Sequence, residues 1–227
     1  MGAHLQVDLA DLEQLLSAQA DKVEEMVLAS CQAMHERSID KAVEVFAGEI
    51  EINASEVEIE ELCLHVLALQ QPVAIDLRRV TAILKINGEL ERIADLAVNV
   101  AERTKSLDDY PSVHVPERLE QMLETSLQML RDAHSALLRV DADLAREVIR
   151  RDDEVDRINR QVINDLVRWM EAEPASVAGY LHVFSACRMI ERIGDHATNI
   201  AEDVVYLAEG EISRHAYTHS LIAGAVR

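Results

Sequence analysis

Residues 91–102 read Glu-Arg-Ile-Ala-Asp-Leu-Ala-Val-Asn-Val-Ala-Glu, and residues 191–202 read Glu-Arg-Ile-Gly-Asp-His-Ala-Thr-Asn-Ile-Ala-Glu. Eight of the twelve positions are identical at an offset of 100. Composition bias alone would give about two or three identities. The chain therefore carries an internal duplication. Both stretches have apolar residues at three- and four-residue steps, the period of a helix with one buried face.

The same period runs outward from these stretches across nearly the whole chain. Gly and Pro number only 7 and 4, and aromatics make up 3% of 227 residues. That profile fits long packed helices and argues against a sandwich, a barrel or a disordered chain. The pattern predicts a first helix over about 5–37, carrying Leu9, Leu12, Leu16, Val23 and Met26. Ser38 and Asp40 are candidate caps for a second helix ending near Gln70. Pro72 suits the first turn of a third, which ends near Ser106. Asp108 to Pro111 then break the pattern, and Pro116 restarts it. The second half repeats the scheme, with helices over about 117–140, from Asp141 or Asp143 to about Glu173, and from Pro174 to Gly210.

The expected fold is all-α, with two tandem three-helix bundles over 5–107 and 115–210 and a C-terminal tail over 211–227. The tail reads either as ragged chain or as a short extra helix.

At 100° per residue, positions 91, 95, 99 and 102 fall within an arc of about 80°. Glu91, Asp95, Asn99 and Glu102 thus share one helix face, as do Glu191, Asp195, Asn199 and Glu202. On the preceding helices, Glu49, Asn53 and Glu56 match Asp152, Asp156 and Asn159 in spacing, at an offset of 103. Like charges four residues apart weaken a helix, so a stripe that keeps them twice needs a cation or abundant water. Arg92 and Arg192 can neutralise part of it, and Ile93 and Ile193 are expected in the core. Two readings fit. Carboxylates and amides from two facing helices are hard oxygen donors suited to Mg²⁺, Mn²⁺, Ca²⁺ or iron. Alternatively, the stripes are solvated or Arg-paired faces of acidic helices.

The formal net charge is −20, from 42 acids against 22 Lys and Arg, with no basic cluster. Such a surface repels phosphate backbones, which argues against nucleic-acid binding. Cys31, Cys63 and Cys187 are too few and too widely spaced for a disulfide framework, and are expected as small buried residues in a reducing compartment. The N-terminus does not read as a signal peptide, and no stretch is apolar enough to span a bilayer. A soluble cytoplasmic protein is expected.

Enzyme signatures are missing. The chain has no Gly-rich phosphate loop and no His-Glu-x-x-His. None of the nine histidines has a Glu three residues before it, against a ferritin-like di-iron bundle. His215 and His219 lie four apart in the tail, a spacing more often coincidence than chelation. A carboxylate-bridged metalloenzyme is the alternative to a non-enzymatic protein, and it lacks an obvious general base.

Cys187-Arg-Met-Ile-Glu-Arg-Ile-Gly-Asp-His196, continuing to Asn199 and Glu202, resembles the PhoU family of phosphate-transport regulators. So do Gln71-Pro-Val-Ala74 with Asp76-Leu-Arg78, Glu89-Leu-Glu-Arg-Ile93, and Asp152-Asp-Glu-Val-Asp-Arg-Ile-Asn159. The resemblance covers roughly residues 10–215. It implies two three-helix bundles side by side in a cytoplasmic protein, often dimeric, that meets the inner membrane only through partners. It also implies an adaptor that represses the phosphate-starvation response by linking the PstB-like ATPase of the phosphate ABC transporter to a PhoR-like sensor histidine kinase. Finally, it implies metal ions (Fe, Mn, Mg or Zn) at acidic motifs that fall here on Glu91–Asp95, Glu191–Asp195 and Asp152–Asp156. Glu49-x-x-x-Asn53 departs from that pattern and sets the two halves apart.

Overall fold

The computed structural model describes residues 2–210, with side chains from His4. Six long helices account for nearly all of it: α1 (Gly2–Glu36), α2 (Ile39–Gln70), α3 (Ala74–Ser106), α4 (Glu117–Arg139), α5 (Ala142–Ala172) and α6 (Val177–Glu209). The tail, with His215 and His219, lies outside the described residues.

The helix ends follow local chemistry. Ser38, not Asp40, caps α2, its hydroxyl accepting from the Lys41 N–H at 3.3 Å. Asp141 caps α5 by accepting from the N–H groups of Asp143 and Leu144. These are the orphan donors that a helix N-terminus must satisfy. Gly210 closes α6 at φ 77°, a left-handed conformation suited to glycine, its N–H bonded to the Tyr206 carbonyl. Two expectations shift. Pro72 stands in the connection before α3, which starts at Ala74 behind the extended residue Val73. Pro174 opens a 3₁₀ turn over Pro174–Ser176, and α6 begins one turn later.

In each half three helices close around their apolar stripes: α1, α2 and α3 in the first, α4, α5 and α6 in the second. The halves then pack through α3 against α6 and, to a lesser extent, α1 against α4. Lys85 meets Asp203 and Glu89 meets Asn199, so α3 and α6 run antiparallel. Ile93 and Ile193 are both fully buried, as their position beside the acids implied.

The link between the halves is held from both sides. Arg37 donates to the carbonyls of Leu107 and Val113 at 2.7 and 2.6 Å. Gly179, in the first turn of α6, lets the link approach closely. A Cβ there would sit 2.5 Å from Val113 Cγ2 and 2.8 Å from Tyr110 Cβ. The acidic stripes of α3 and α6 are thereby fixed on a rigid central pair.

Candidate functional site

The second half brings the acids of α5 and α6 together. Glu191 is buried, and Arg188, one turn earlier, donates to its Oε1 at 2.7 Å. Asn159 is buried on α5, its amide 3.5 Å from the same oxygen, and its own carbonyl oxygen accepts from the Cys187 thiol at 3.2 Å. The other oxygen of Glu191, Oε2, is buried without a hydrogen-bond partner. Asp152 lies close to the α6 backbone, its Oδ1 3.7 Å from where a Cβ on Gly194 would stand.

Burial and mutual repulsion raise the carboxyls of this cluster. Burial pushes the Asp152 carboxyl up to about 6, helped by the charges of Asp195, Asp156, Asp153 and Glu191. Glu191 is also raised, by burial first and then by Asp195, with Arg188 offsetting part. Asp195 is raised by burial and by Asp156, against the opposing charges of His196, Arg188 and Arg192. Asp156 has an outer partner in Arg160 at 3.6 Å. Glu191 is buried, Asp152 and Asp156 are half-buried and Asp195 is exposed at the rim, and like charges in such a partly desolvated cluster disfavour one another's ionised forms.

The first half is a shallower version. Glu91 is raised by burial first, then by Asp95, Glu56 and Glu49, with Arg92 opposing. Asn53 and Asp95 are exposed, and Glu49 and Glu56 are partly covered. The Asn87 amide donates to the backbone carbonyl of Glu56 at 2.9 Å, and at the matching positions of the second half Cys187 donates to the side-chain oxygen of Asn159. Asn87 and Cys187 differ by 100 in number, Glu56 and Asn159 by 103. The structure thus keeps the register expected between the copies.

Part of the expected stripe falls away from the cluster. Asn199 sits at the edge of the arc and turns across to α3, donating to Glu89 Oε2 at 3.0 Å. Asn99 donates to the carbonyl of Asp95, one turn back on its own helix. Glu102 and Glu202 lie eleven residues beyond Glu91 and Glu191, about 16 Å along the axis, too far to share an ion with them. Glu102 is instead 3.6 Å from Arg103. Asn159 is a buried support for Glu191 rather than a surface donor.

Among the described residues, no three His, Cys, Asp or Glu side chains are arranged as a ready ligand set. The carboxylates sense each other's charge without converging on a point. By chemistry the second cluster still suits a hard cation: its donors are oxygens, one buried carboxylate oxygen has no partner, and Asp152 resists ionisation.

Sequence reasoning missed a second polar cluster, between the halves. Glu89 accepts from Asn199 and pairs with His196 Nδ1 at 2.6 Å. Burial works to raise the Glu89 carboxyl, yet hydrogen bonds from His196 and Asn199 and the charges of His196 and Arg92 hold it below the usual range. Lys85 meets the buried Asp203 at 3.1 Å and lies over the Tyr206 ring. None of these contacts has a local signal, because each needs the two halves docked. Arg188 did have one, a base three residues before an acid on the same helix.

A duplicated three-helix unit with paired acidic helices defines the class. The model of the PhoU domain matches twice, over residues 16–104 and 119–204, and the chain belongs to the PhoU family. It is 37% identical over 211 residues to the "Phosphate-specific transport system accessory protein PhoU homolog" of Pseudomonas putida, covering 92% of this chain and 82% of that one. It is 35% identical over 195 residues to the Escherichia coli (strain K12) accessory protein PhoU, covering 85% and 80%. The crystal structure of PhoU from Pseudomonas aeruginosa superposes with a TM-score of 0.87 at 35% identity, covering 91% of this chain and 99% of that one. The Streptococcus pneumoniae phosphate transport system regulatory protein PhoU gives 0.86 at 26%, covering 92% and 98%. These relatives are accessory and regulatory proteins, not enzymes, and this chain is of their kind. No helix among the described residues is long and apolar enough to cross a membrane.

Proposed function

We propose that this chain is the regulatory accessory protein of a phosphate-specific transport system. It works as a non-enzymatic adaptor between the PstB-like ATPase of the transporter and a PhoR-like sensor histidine kinase, as a dimer in the cytoplasm. The observation that carries the reading is similarity to accessory proteins of that system, 37% identical over 92% of the chain and spanning both copies of the acidic helix pair. The test is affinity purification from phosphate-replete cells together with deletion of the gene. Recovery of the ATPase or the kinase, and derepressed phosphate genes in the deletion strain, is the expected result. Recovery of neither, with normal repression, refutes it.

Metal binding belongs to the same proposal. In the second half Asp152, Asp156, Glu191 and Asp195 would hold the ion, with Arg188 and Asn159 orienting Glu191. In the first half Glu91, Asp95, Glu49 and Glu56 would do so, with the weaker amide of Asn53. A bound Fe, Mn, Mg or Zn ion supplies positive charge that lets the clustered carboxyls ionise together. Elemental analysis after gentle purification decides. Less than about one-tenth of a metal per chain, unchanged after adding each ion, removes the metal and leaves the adaptor role standing.

A further inference from the structure

Helix α2 has two apolar faces. One, including Val45, Ile52 and Ile59, is buried against α1 and α3. The other points to solvent. Val43, Ile50, Val57 and Leu64 follow each other at seven-residue steps, and are 56%, 73%, 52% and 52% exposed. Ala47, Ala54, Glu61 and Ala68 lie four residues after each, and all are exposed. Alternating steps of four and three make a heptad seam, the period by which one helix pairs with another along its length. The seam stays within an arc of about 100° over a rise of about 38 Å. With a width of about 10 Å it covers roughly 400 Å², the size of the largest apolar patch on a typical soluble monomer, which is often functional.

The fold does not require this face to be apolar. Ala47, Ile50, Ala54 and Val57 have as counterparts on α5, at the offset of 103, Arg150, Asp153, Arg157 and Arg160, which are also exposed. Over these four positions the same face is a charged, solvated surface in one copy and a hydrophobic seam in the other, although Leu64 keeps an apolar counterpart in the exposed Val167.

The flanks say what fits there. Asp40, Glu44, Glu51 and Glu58 line one side of the seam, and the other carries Glu60 beside Phe46, Asn53 and Leu67. Glu51 is bridged to Lys22 of α1 at 2.9 Å, and the other acids keep the border negative. A second α2 would set the Glu44–Glu51–Glu58 row against itself if antiparallel and Glu61, inside the seam, against its own copy if parallel, and an anionic bilayer would be repelled. We infer that the exposed face of α2 is a docking surface for a basic amphipathic helix of a partner protein, laid along the Val43–Ala68 seam as a two-helix coiled coil. The large residues take holes in the partner, the alanines admit its large residues, and the glutamates pair with its Lys and Arg flanks. This goes beyond the adaptor reading, and needs no metal.

The test uses two synthetic helical peptides of four heptads with the same leucine seam, one flanked by Lys and Arg and one by Glu. Binding to the full chain is followed by fluorescence anisotropy. The comparison protein is Ile50→Gln/Val57→Gln, which alters no charge and keeps helix propensity, with circular dichroism to verify folding. The basic peptide should bind at least tenfold tighter than the acidic one. The double variant should weaken it at least tenfold, while Arg150→Gln on α5 leaves it unchanged. Equal binding of both peptides, or less than a threefold loss in the double variant, overturns the inference. Concentration-dependent self-association that the double variant abolishes, measured by sedimentation, also overturns it, because the seam would then take a second copy.

Discussion

Replacing Asp152 by Asn should stabilise the metal-free protein at neutral pH and do nothing at low pH. The folded state raises the Asp152 carboxyl from 3.8 to about 6, through burial and then through Asp195, Asp156, Asp153 and Glu191. A carboxyl raised on folding favours its protonated form in the native state. Its contribution is therefore intact well below pH 3.8, and stability is lost as the pH rises through about 6. At about 1.4 kcal/mol per unit the loss is about 3 kcal/mol, and partial exposure discounts it to about 2 kcal/mol. Asn keeps the shape and nearly the same helix propensity without the charge.

The assay is thermal unfolding of wild type and Asp152→Asn in chelator, between pH 4 and pH 8. At about 2–4 °C per kcal/mol for a chain of this size, the variant should melt about 5 °C higher above pH 7, and the two should coincide near pH 4. Groups remote from Asp152 cancel in the difference, while its acidic neighbours Asp195, Asp156, Asp153 and Glu191 are relieved of its charge, which widens the gap in the same direction. A gap that does not change with pH, or a variant less stable at pH 7.5, refutes the electrostatic account. Adding a divalent cation separates the second question. If the ion sits among these carboxylates, wild type gains stability as RT ln(1 + [L]/Kd) and the variant gains less, so the gap closes or reverses. Equal gain removes Asp152 from the metal proposal and leaves its raised carboxyl untouched.

Four further outcomes follow from individual side chains and glycines. Gly194→Ala should raise stability by about 0.5–1 kcal/mol in denaturant titration, since its Cβ meets Val155, Ser126 and Asp152 only at 3.5–3.7 Å and Ala is the better helix former; Gly179→Ala should cost about 1–3 kcal/mol, because Val113 and Tyr110 must move. Glu89→Leu should cost about 1–3 kcal/mol in the same titration, because the acceptor of both His196 and Asn199 is lost between the halves. Burial pushes the thiols of Cys63 and Cys187 up to about 12, so neither should react with a thiol reagent at pH 8 until the protein unfolds, whereas Cys31, expected in the core, is partly exposed on α1 and should react first.

The fold was legible because helix signals are local. Residues 91–102 announced their own repeat, Ser38 and Asp141 capped the helices they preceded, and Gly210 ended the last one. Pro72 and Pro174 misled by a few residues, since a proline marks a start without saying whether a turn comes first. The candidate site was legible only in part. Angular spacing put Glu191, Asp195, Asn199 and Glu202 on one face, but an arc says nothing of length along the axis or of a neighbour across it. Glu202 was too far along, and Asn199 had Glu89 within reach. Depth was also invisible: nothing in the spacing separates buried Glu191 from its partly exposed counterpart Glu91.

The two copies share a backbone and have divided its surfaces. The antiparallel pairing of α3 with α6 places Glu89 against Asn199, and the duplication makes Met189 and Asn99 the mirrored pair. Likewise Lys85–Asp203 has Ser185 and Arg103 as its mirror. An interface between true copies would carry each contact twice, so the polar lock here belongs to one end only. The same asymmetry recurs further out. The pair Glu49–Asn53 carries one carboxylate where Asp152–Asp156 carries two, while α2 carries the apolar seam where α5 carries arginines. Charge crowding is therefore greatest in the second half, and exposed apolar surface along the outer helix is greatest in the first. The symmetry is one of backbone alone; the side chains make the two halves chemically different surfaces.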